Sequence, residues 1–210
     1  ARRRGIAKDV GGACGMKASL YPEEVFTVWA ALQQRRATRW IASRSEDFLS
    51  ATQGRGLRSI GALAVDAAGR FLALRARITA PLGHWLPNSA LIPAWNGASV
   101  LPSGYAIPAL DIETVAQTEG LAPTGIYRGA GRPEANALME RLVDKAARAT
   151  GLDPLEIRRR NLLTPAALPH GTATGNTLDS GDYPGALDAL QAHAGYAALR
   201  AQQTDRRAKG

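Results

Sequence analysis

Cysteine and long apolar runs are the two features that this sequence most clearly lacks. Its 210 residues contain one cysteine, Cys14, so the chain can form no internal disulfide and has no cysteine cluster for zinc or an iron–sulfur centre. No run of about 18 apolar residues occurs, and the N-terminal ARRRGIAKDV lacks the apolar centre of a signal peptide. We therefore predict a cytoplasmic protein without a membrane partner, and export to the periplasm as part of a folded complex stays open.

Acidic residues are scarce relative to basic ones, with 18 Asp and Glu against 26 Lys and Arg and a net charge of +8. The arginines occur as scattered pairs and triplets, and no aromatic residues are interleaved with them as in a basic stripe. This arrangement is typical of solvated faces and subunit contacts, so we expect no nucleic-acid partner. A hydrophobic content of 45% predicts one folded domain, or a section of a larger one.

A glycine-rich turn, GIYRGAG, is the most informative stretch of the chain. Pro133 suits the first position of a helix, and Gly129 and Gly131 let the backbone bend closely just before it. The free N–H groups of that helix end, flanked by Arg128 and Arg132, would attract a phosphate or an oxyanion. An ordinary loop from a strand to a core helix is the alternative, because a single glycine-rich turn is a weak signal.

Two helices are predicted to follow this turn. Apolar residues recur at helical spacing from Leu138 to Ala147, and Gly151 ends the first helix. Asp153 and Glu156 then supply an N-cap and an acidic residue for the first turn of the second helix, with a proline between them. The pattern predicts two helices joined by a short linker, each packing one face on a core.

Other elements follow from periodicity and turn residues. In chain order, we predict a helix from Pro22 that Arg35 and Arg36 close, a strand at 40–42, a capped helical turn at 45–49, strands at 61–66, 71–79 and 107–115, and a helix at 183–200 with a polar tail at 201–210. We expect loops at 81–105, with short helical pieces suited to lining a ligand cavity, at 117–124 and at 164–177.

Apolar and polar residues alternate along the predicted strand at 71–79. This alternation predicts an antiparallel hairpin with the strand at 61–66, one face of which is exposed to solvent. The residues expected on its apolar face are Leu72, Leu74, Ala76 and Ile78. The fold class that follows is α+β, a mixed sheet with an antiparallel hairpin and packed helices. Residues 1–210 are expected to form a single domain segment.

Several motifs, taken in order, resemble one family over nearly the whole chain. They are KDVGG at 8–12, GMK at 15–17, YPEE at 21–24, YRGAGRPEA at 127–135, GLDPLEIRRRNLL at 151–163 and DSGDYP at 179–184. The segment resembles the molybdopterin-binding large subunit of the molybdenum hydroxylases, which include xanthine dehydrogenases, aldehyde oxidases and carbon monoxide dehydrogenase-like enzymes. The resemblance implies that the chain is an internal segment of that subunit's molybdopterin-binding domain.

The resemblance implies a cofactor-binding role for the first glycine loop. In the family pattern D-V-G-G-G-F-G-x-K, backbone amides approach the molybdenum centre, and the matching positions here are Gly12, Ala13, Cys14 and Gly15. Ala13 replaces a glycine and Cys14 replaces the usual phenylalanine. These two replacements could alter the conformation of the loop and the packing of the substrate against it. Considered alone, Cys14 is expected to be a small buried thiol and not a catalytic one.

Four further positions take roles from the same resemblance. Arg128 matches the family arginine beside the molybdenum, and Gly129 follows it as a second cofactor-binding residue. Ala18 and Ala130 are assigned to the substrate pocket. Purine-specific members carry an acidic residue at the position of Ala18, and Ala130 replaces a stacking aromatic in them and a cysteine in carbon monoxide dehydrogenases. Neither activity is therefore expected.

The activity implied is hydroxylation of a carbon beside nitrogen, or of an aldehyde, with water as the oxygen source. The cofactor would be molybdenum–molybdopterin, with the cytosine dinucleotide form as one option, and electrons would pass through 2Fe–2S clusters to FAD on partner chains or domains. The partners implied are the remainder of the molybdenum subunit, iron–sulfur and FAD subunits, and a small-molecule substrate.

No catalytic residue and no side-chain metal ligand is assigned within the chain. The family's glutamate base and a glutamine at the metal match no position here, so we expect a fragment or one part of a split subunit that is inactive alone. Glu134 and Glu140 are helix-surface acids and not bases. His84, Trp85 and Trp95 are expected to be packing groups. Two alternatives stay open, namely a scaffold of the same fold that has lost the cofactor and a basic module that binds phosphate-rich polymers.

Overall fold

The computed structural model describes residue 6 and residues 8–210, which form two compact units. The first contains the described residues up to Gly61 together with Ala76–Leu101 and Ile112–Leu138, and the second contains Ala62–Arg75, Pro102–Asp111 and Met139–Gly210. The helices are α1 (Pro22–Gln34), α2 (Arg44–Ser50), α3 (Ile92–Val100), α4 (Arg132–Thr150), α5 (Pro154–Asn161), α6 (Tyr183–Ala194) and α7 (Tyr196–Ala208). The strands are β1 (Arg58–Val65), β2 (Phe71–Gly83), β3 (Ala109–Thr118), β4 (His170–Gly171) and β5 (Thr177–Leu178).

Strands β1, β2 and β3 form one sheet in that order, with β2 in the centre. The tight turn at 66–70 makes β1 and β2 the antiparallel hairpin that the sequence predicts. Strand β3 runs parallel to β2, because the ion pairs Arg75–Asp111 and Arg77–Glu113 advance together along both strands, and helix α3 lies in the connection between them. The α+β class with a mixed sheet is confirmed.

Strand β2 supplies core residues to both units. In the first unit Ala76, Ile78 and Ala80 are buried, and in the second unit Phe71 and Leu74 are buried. The predicted alternation is confirmed from position 74 onward. Leu72 is the exception, because it is exposed while its neighbour Phe71 is buried.

The two predicted helices after the glycine turn are confirmed as α4 and α5. Met139 and Val143 on α4 are completely buried within the second unit, as is Ile157 on α5. Asp153 caps α5, since its carboxylate accepts a hydrogen bond from the Leu155 N–H at 2.8 Å. Helix α4 begins at Arg132, one residue before the proline predicted to open it.

The first helix ends earlier than predicted. Gln34 is its last residue, and Arg35 adopts a left-handed conformation with φ of 49° as the C-cap. The segment 40–42 contains no strand, which corrects the prediction made from its pattern. Strand formation needs a hydrogen-bonding neighbour, and this segment has none among the residues that the structure describes.

The C-terminal region is helical beyond the predicted limit. Gly195, with φ of 58°, divides the predicted helix into α6 and α7, and α7 continues to Ala208 through most of the predicted polar tail. The residues at this end of α7 are all exposed, and most of them are polar. That residues 1–210 belong to one cofactor-binding domain stays a prediction. None of the helices that the structure describes is long and apolar enough to span a membrane.

Candidate cofactor-binding site

The first glycine loop closes on the carbonyl oxygen of Gly12. This oxygen accepts hydrogen bonds from the N–H groups of Gly15 at 3.2 Å and Lys17 at 3.1 Å. Gly12 and Gly15 have φ values of 87° and 142°, which favour glycine, whereas Ala13 is not among the residues with positive φ. Alanine therefore replaces the family's glycine without backbone strain, and the loop keeps its turn.

Gly15 brings this loop against the segment that leads into the second glycine turn. A Cβ atom at Gly15 would lie 2.0 Å from the carbonyl oxygen of Ile126, so only glycine fits. Ile126 lies two residues before Arg128 in the chain. The two motifs that the sequence identified separately are thus neighbours in the first unit.

The second turn holds three consecutive residues in left-handed conformations. The φ values are 97° for Gly129, 42° for Ala130 and 94° for Gly131. A Cβ atom at Gly131 would lie 1.9 Å from the carbonyl oxygen of Pro93, so this glycine allows close packing of helix α3 on the start of helix α4. Ala130 retains a side chain in this conformation at a cost of about 1 kcal/mol.

Arg55 fastens this turn, and the sequence analysis did not identify it. Its guanidinium donates a hydrogen bond to the Arg128 carbonyl, forms an ion pair with Glu134 at 3.1 Å, and lies 5.0 Å from the centre of the Tyr127 ring. Arg55 precedes Arg128 by 73 positions, so no local pattern could reveal the contact. Glu134, one of the two helix-surface acids named in the sequence analysis, therefore forms an ion pair with Arg55.

The site leaves several hydrogen-bond donors without protein acceptors. The N–H groups of Ala13, Cys14 and Gly129 donate no hydrogen bond within residues 6 and 8–210, and the side chain of Arg128 forms no ion pair or hydrogen bond there. All of these groups belong to the first unit, and donors of this kind suit an anionic ligand rich in oxygen. The residues present therefore fit an anionic cofactor.

Cys14 lies exposed in the first loop, which corrects the prediction of a small buried thiol. The loop turns outward between Gly12 and Gly15, and a residue at its tip contacts no core. Ala18 is also exposed, and its N–H donates to the Gly15 carbonyl at 2.9 Å, which ends the loop. Ala130 is half-buried in the second turn.

Arg132, the other arginine of the second turn, is exposed and directs its guanidinium toward the Gly129 carbonyl at 3.4 Å. Within the described chain no group of three or more His, Cys, Asp or Glu side chains has the arrangement of a metal site.

Glu140, the second of these helix-surface acids, belongs to an ionic cluster in the second unit. Its carboxylate accepts hydrogen bonds from Arg158 at 2.6 Å and from the Tyr105 hydroxyl at 2.8 Å, and Asp144 lies 2.9 Å from the same guanidinium. Burial, followed by the charge of Glu140, raises the pKa of Tyr105. Three hydrogen bonds to this carboxylate, two from Arg158 and one from Tyr105, explain the position of Glu140 without a catalytic role.

Three residues of the segment 81–105 are predicted to be packing groups, and of these Trp85 is half-buried whereas His84 and Trp95 are exposed, so the prediction is wrong for Trp95. The His84 ring nitrogen Nδ1 lies 2.9 Å from the Leu121 carbonyl, and Trp85 meets the Tyr21 ring edge-on with centroids 6.1 Å apart. Trp95 is exposed on helix α3.

Comparison with known proteins identifies the family. The profile of the molybdopterin cofactor-binding domain matches residues 2–162. The chain belongs to this family. The family is the one that the sequence motifs resemble, so the assignment of a molybdopterin-binding segment is confirmed.

The relatives that match this segment are much longer than the segment itself. The nicotine 6-hydroxylase large subunit of Paenarthrobacter nicotinovorans is 29% identical over 98% of this chain and 25% of its own length. The carbon monoxide dehydrogenase large chain of Hydrogenophaga pseudoflava is 33% identical over 97% of this chain and 26% of its own length. The molybdopterin-binding segment thus spans about a quarter of the relatives that it matches.

A solved structure also matches nearly the whole chain. The quinoline 2-oxidoreductase of Pseudomonas putida 86 matches 96% of this chain with a TM-score of 0.89 and 38% sequence identity, and the match covers 26% of that chain. Such similarity over nearly the whole segment shows that the α+β arrangement described above is that of the family.

Proposed function

We propose that this chain is the cofactor-binding segment of a molybdenum-dependent hydroxylase that oxidises an aldehyde or a nitrogen heterocycle, with water as the oxygen source. A nitrogen heterocycle is favoured, because a nicotine 6-hydroxylase and a quinoline 2-oxidoreductase match nearly the whole segment. The absence of a cysteine at Ala130 argues against oxidation of carbon monoxide.

One observation supports this proposal most strongly. The contact of Gly15 with Ile126 brings together two loops in which the N–H groups of Ala13, Cys14 and Gly129 have no acceptor in the described chain. Unpaired amides on neighbouring tight turns form a polar cradle for an anion, and they require no side-chain ligand. A molybdenum cofactor, which carries its own dithiolene ligands and a phosphate, fits such a cradle.

The residues of this chain would bind and orient the cofactor. We assign the amides of Ala13 and Cys14 to its polar oxygens, with Gly12 and Gly15 shaping their loop, and we assign the Arg128 guanidinium and Gly129 to its other side. When bound, the molybdenum–pterin group supplies the two-electron redox chemistry. Ala18 and Ala130 would border the substrate, and both are small enough to leave room for a ring.

The complete enzyme requires further parts. We propose that the remainder of the molybdenum subunit supplies the general base and that FAD and 2Fe–2S clusters on partner chains or domains accept the electrons. The cytosine dinucleotide form of the cofactor and a cytoplasmic location also belong to this proposal.

Molybdenum content tests the proposal directly. The tagged chain is purified gently from the cell that encodes it, and molybdenum and pterin fluorescence per chain are measured together with the visible spectrum. We expect near-stoichiometric molybdenum with flavin and iron–sulfur absorbance. The variant Arg128→Gln should lower the molybdenum content about tenfold, which corresponds to about 1.4 kcal/mol of binding free energy, because this exposed side chain has no hydrogen-bond or ion-pair partner among the residues that the structure describes.

Arg207→Gln on helix α7 is the matched control, and it should leave the molybdenum content unchanged. A well-folded wild-type chain that copurifies with its partners but contains no molybdenum would instead identify a scaffold that has lost the cofactor. A steeply salt-dependent affinity for nucleic acid would favour the basic module.

A further inference from the structure

An unpaired backbone segment lies between helices α1 and α2. The main-chain N–H and C=O groups of residues 37–42 form no hydrogen bond with any other residue that the structure describes. The segment is nevertheless fixed at both ends. The Thr38 hydroxyl donates to the Thr27 carbonyl on α1 at 2.8 Å, and the Ser43 side chain caps α2 by accepting from the Glu46 N–H.

This segment has the side chains of a strand but lacks a neighbour. Thr38, Trp40 and Ile41 have high strand propensity, and for this reason the sequence predicts a strand at 40–42. In the structure Trp40 is 49% exposed and Ile41 is 69% exposed. Exposed apolar side chains on a backbone with free donors and acceptors are a template for pairing with another strand.

Apolar surface continues from this segment onto both flanking helices. On α1, exposed apolar side chains recur at helical spacing, and they are Val25, Phe26, Val28, Trp29 and Leu32. On α2, Phe48 and Leu49 are exposed. An amphipathic helix whose apolar face is turned away from its own core is typical of an interaction surface.

The groove beside the segment is acidic at its rim. Its volume is about 540 Å³, and Trp40, Ile41 and Leu49 line its apolar part. The charged residues along it are Glu23, Glu24, Glu46, Asp47 and Lys17. Asp47 is ion-paired with Arg44 at 3.2 Å. Glu24 and Glu46 each accept a hydrogen bond from a backbone N–H, whereas Glu23 has no ion pair among the described residues. The rim therefore still carries more negative than positive charge, which favours a partner that presents Lys or Arg beside apolar side chains.

We propose that residues 37–42 pair with a β-strand from the part of the molybdenum subunit that this chain does not span. The matched segment covers only about a quarter of the curated relatives, so in them three quarters of the subunit is available to supply such a strand. The pairing strand carries apolar residues toward Trp40 and Ile41 and a basic residue toward the acidic rim. This inference rests on the proposed function, because it assumes the rest of the subunit.

Site-specific crosslinking tests the pairing. A photoreactive amino acid replaces Ile41 in one variant and Ala201, on the exposed helix α7, in a control variant, and each is produced in the cell that encodes the chain. We expect adducts at position 41 at least about tenfold more abundant than at position 201, with peptides that mass spectrometry assigns to the remainder of a molybdenum subunit. Adducts with a second copy of this chain, or equal yields at both positions, would overturn the inference.

Backbone substitutions provide a second measurement. Ile41→Pro removes an N–H that is unused in the chain itself, so the fold should survive while the complex dissociates, and Ile41→Val should retain the complex. In the purified complex, amide hydrogen exchange at residues 39–42 should be at least about tenfold slower than in the isolated chain. Unchanged exchange on complex formation would contradict the pairing.

The two proposals can fail separately. A complex that contains molybdenum but gives no adduct at Ile41 would refute the strand pairing and leave the proposed function intact. Adducts with the remainder of the subunit in a complex without molybdenum would support the pairing and refute the function.

Discussion

The glycine loops of the first unit and the helix pair of the second differ in how their polar groups are satisfied. In the second unit, Asn161 accepts a hydrogen bond from the Phe71 N–H and donates two, to the carbonyls of Gly69 and Ile157, each at 2.8 Å. Arg158 is similarly saturated by Glu140 and Asp144. In the first unit, by contrast, the amides of Ala13, Cys14 and Gly129 have no acceptor in the described chain, and the main-chain groups of the segment 37–42 have no partner there.

The polar groups of the helix pair are hydrogen-bonded within the protein, whereas the open main-chain groups of the first unit remain free to bind a ligand or another chain. Buried polar groups in proteins are nearly always hydrogen-bonded, and among the described residues no buried side-chain nitrogen or oxygen of either unit lacks a partner. The open groups of the first unit are exposed, so water satisfies them until a cofactor or a strand replaces it. Substitutions in the second unit should therefore change stability, and those at the open groups should change binding.

The largest effect is expected where a glycine of the first unit serves packing. Gly131→Val would place its Cβ 1.9 Å from the Pro93 carbonyl at a φ of 94°, so we expect a loss of at least about 4 kcal/mol and failure to fold. Gly120→Ala is the control, because no atom lies within 4 Å of its Cβ position. Expression as soluble protein and urea unfolding measure both. A folded Gly131→Val chain would show that the turn can relax.

The second largest effect is expected at Asn161, whose side chain forms three hydrogen bonds in the second unit. Asn161→Ala would leave the Phe71 N–H and the Gly69 carbonyl buried without their partner, and we expect a loss of about 3 kcal/mol in the free energy of unfolding. Asn88→Ala, at an exposed position, should change the free energy by less than about 0.5 kcal/mol. Equal effects of the two substitutions in urea unfolding would remove the contrast between the units.

A smaller effect is expected at the contact that fastens the second turn. Arg55→Ala removes the ion pair with Glu134 and the hydrogen bond to the Arg128 carbonyl, both partly exposed, so we expect a loss of about 1 kcal/mol. Arg58→Ala, which removes only an exposed ion pair with Glu119, should cost less. Thermal unfolding of both variants orders the two contributions, and a larger effect for Arg58→Ala would contradict the assignment.

The smallest effect is a pH dependence at the start of helix α5. Partial burial opposes ionisation, but the Leu155 N–H and the Tyr196 hydroxyl together lower the pKa of Asp153. The stabilisation is therefore complete above the ordinary value of 3.8 and disappears as the pH falls through the lower value of the folded state. Asp153→Ala should cost about 1 kcal/mol at neutral pH.

Unfolding curves measured in steps from about pH 6 to about pH 2 test this sign, because the difference between wild type and Asp153→Ala should shrink only at the acid end. A difference that instead grows with acid would mean that the carboxyl acts in its protonated form.

Local signals made most of the helices predictable. Helices α4 and α5 carry their own caps, periodicity and end signals, as the pairing of Asp153 with Leu155 shows. The hairpin was equally predictable, because its turn lies between adjacent strands. The parallel position of β3 was not, since it depends on the pairs Arg75–Asp111 and Arg77–Glu113, which join residues 36 positions apart.

The candidate site was predictable only where family motifs mark it. Gly15 and Arg128 were identified from the resemblance, and the contact of Gly15 with Ile126 explains why the two motifs belong together. Arg55 was missed, because a lone arginine in an irregular segment carries no pattern. The segment 40–42 shows the opposite error, because its side chains have strand propensity but no neighbouring strand pairs with it among the described residues.

Ala130 gives the second turn a position at which the side chain can be changed. Its backbone is already left-handed with a side chain in place, and glycines on both sides hold that geometry. Asn and Asp tolerate this conformation best among residues with a side chain, whereas β-branched residues strain it. A small library of unbranched and polar residues at this single codon should therefore vary the volume and polarity beside the turn at little cost in backbone energy.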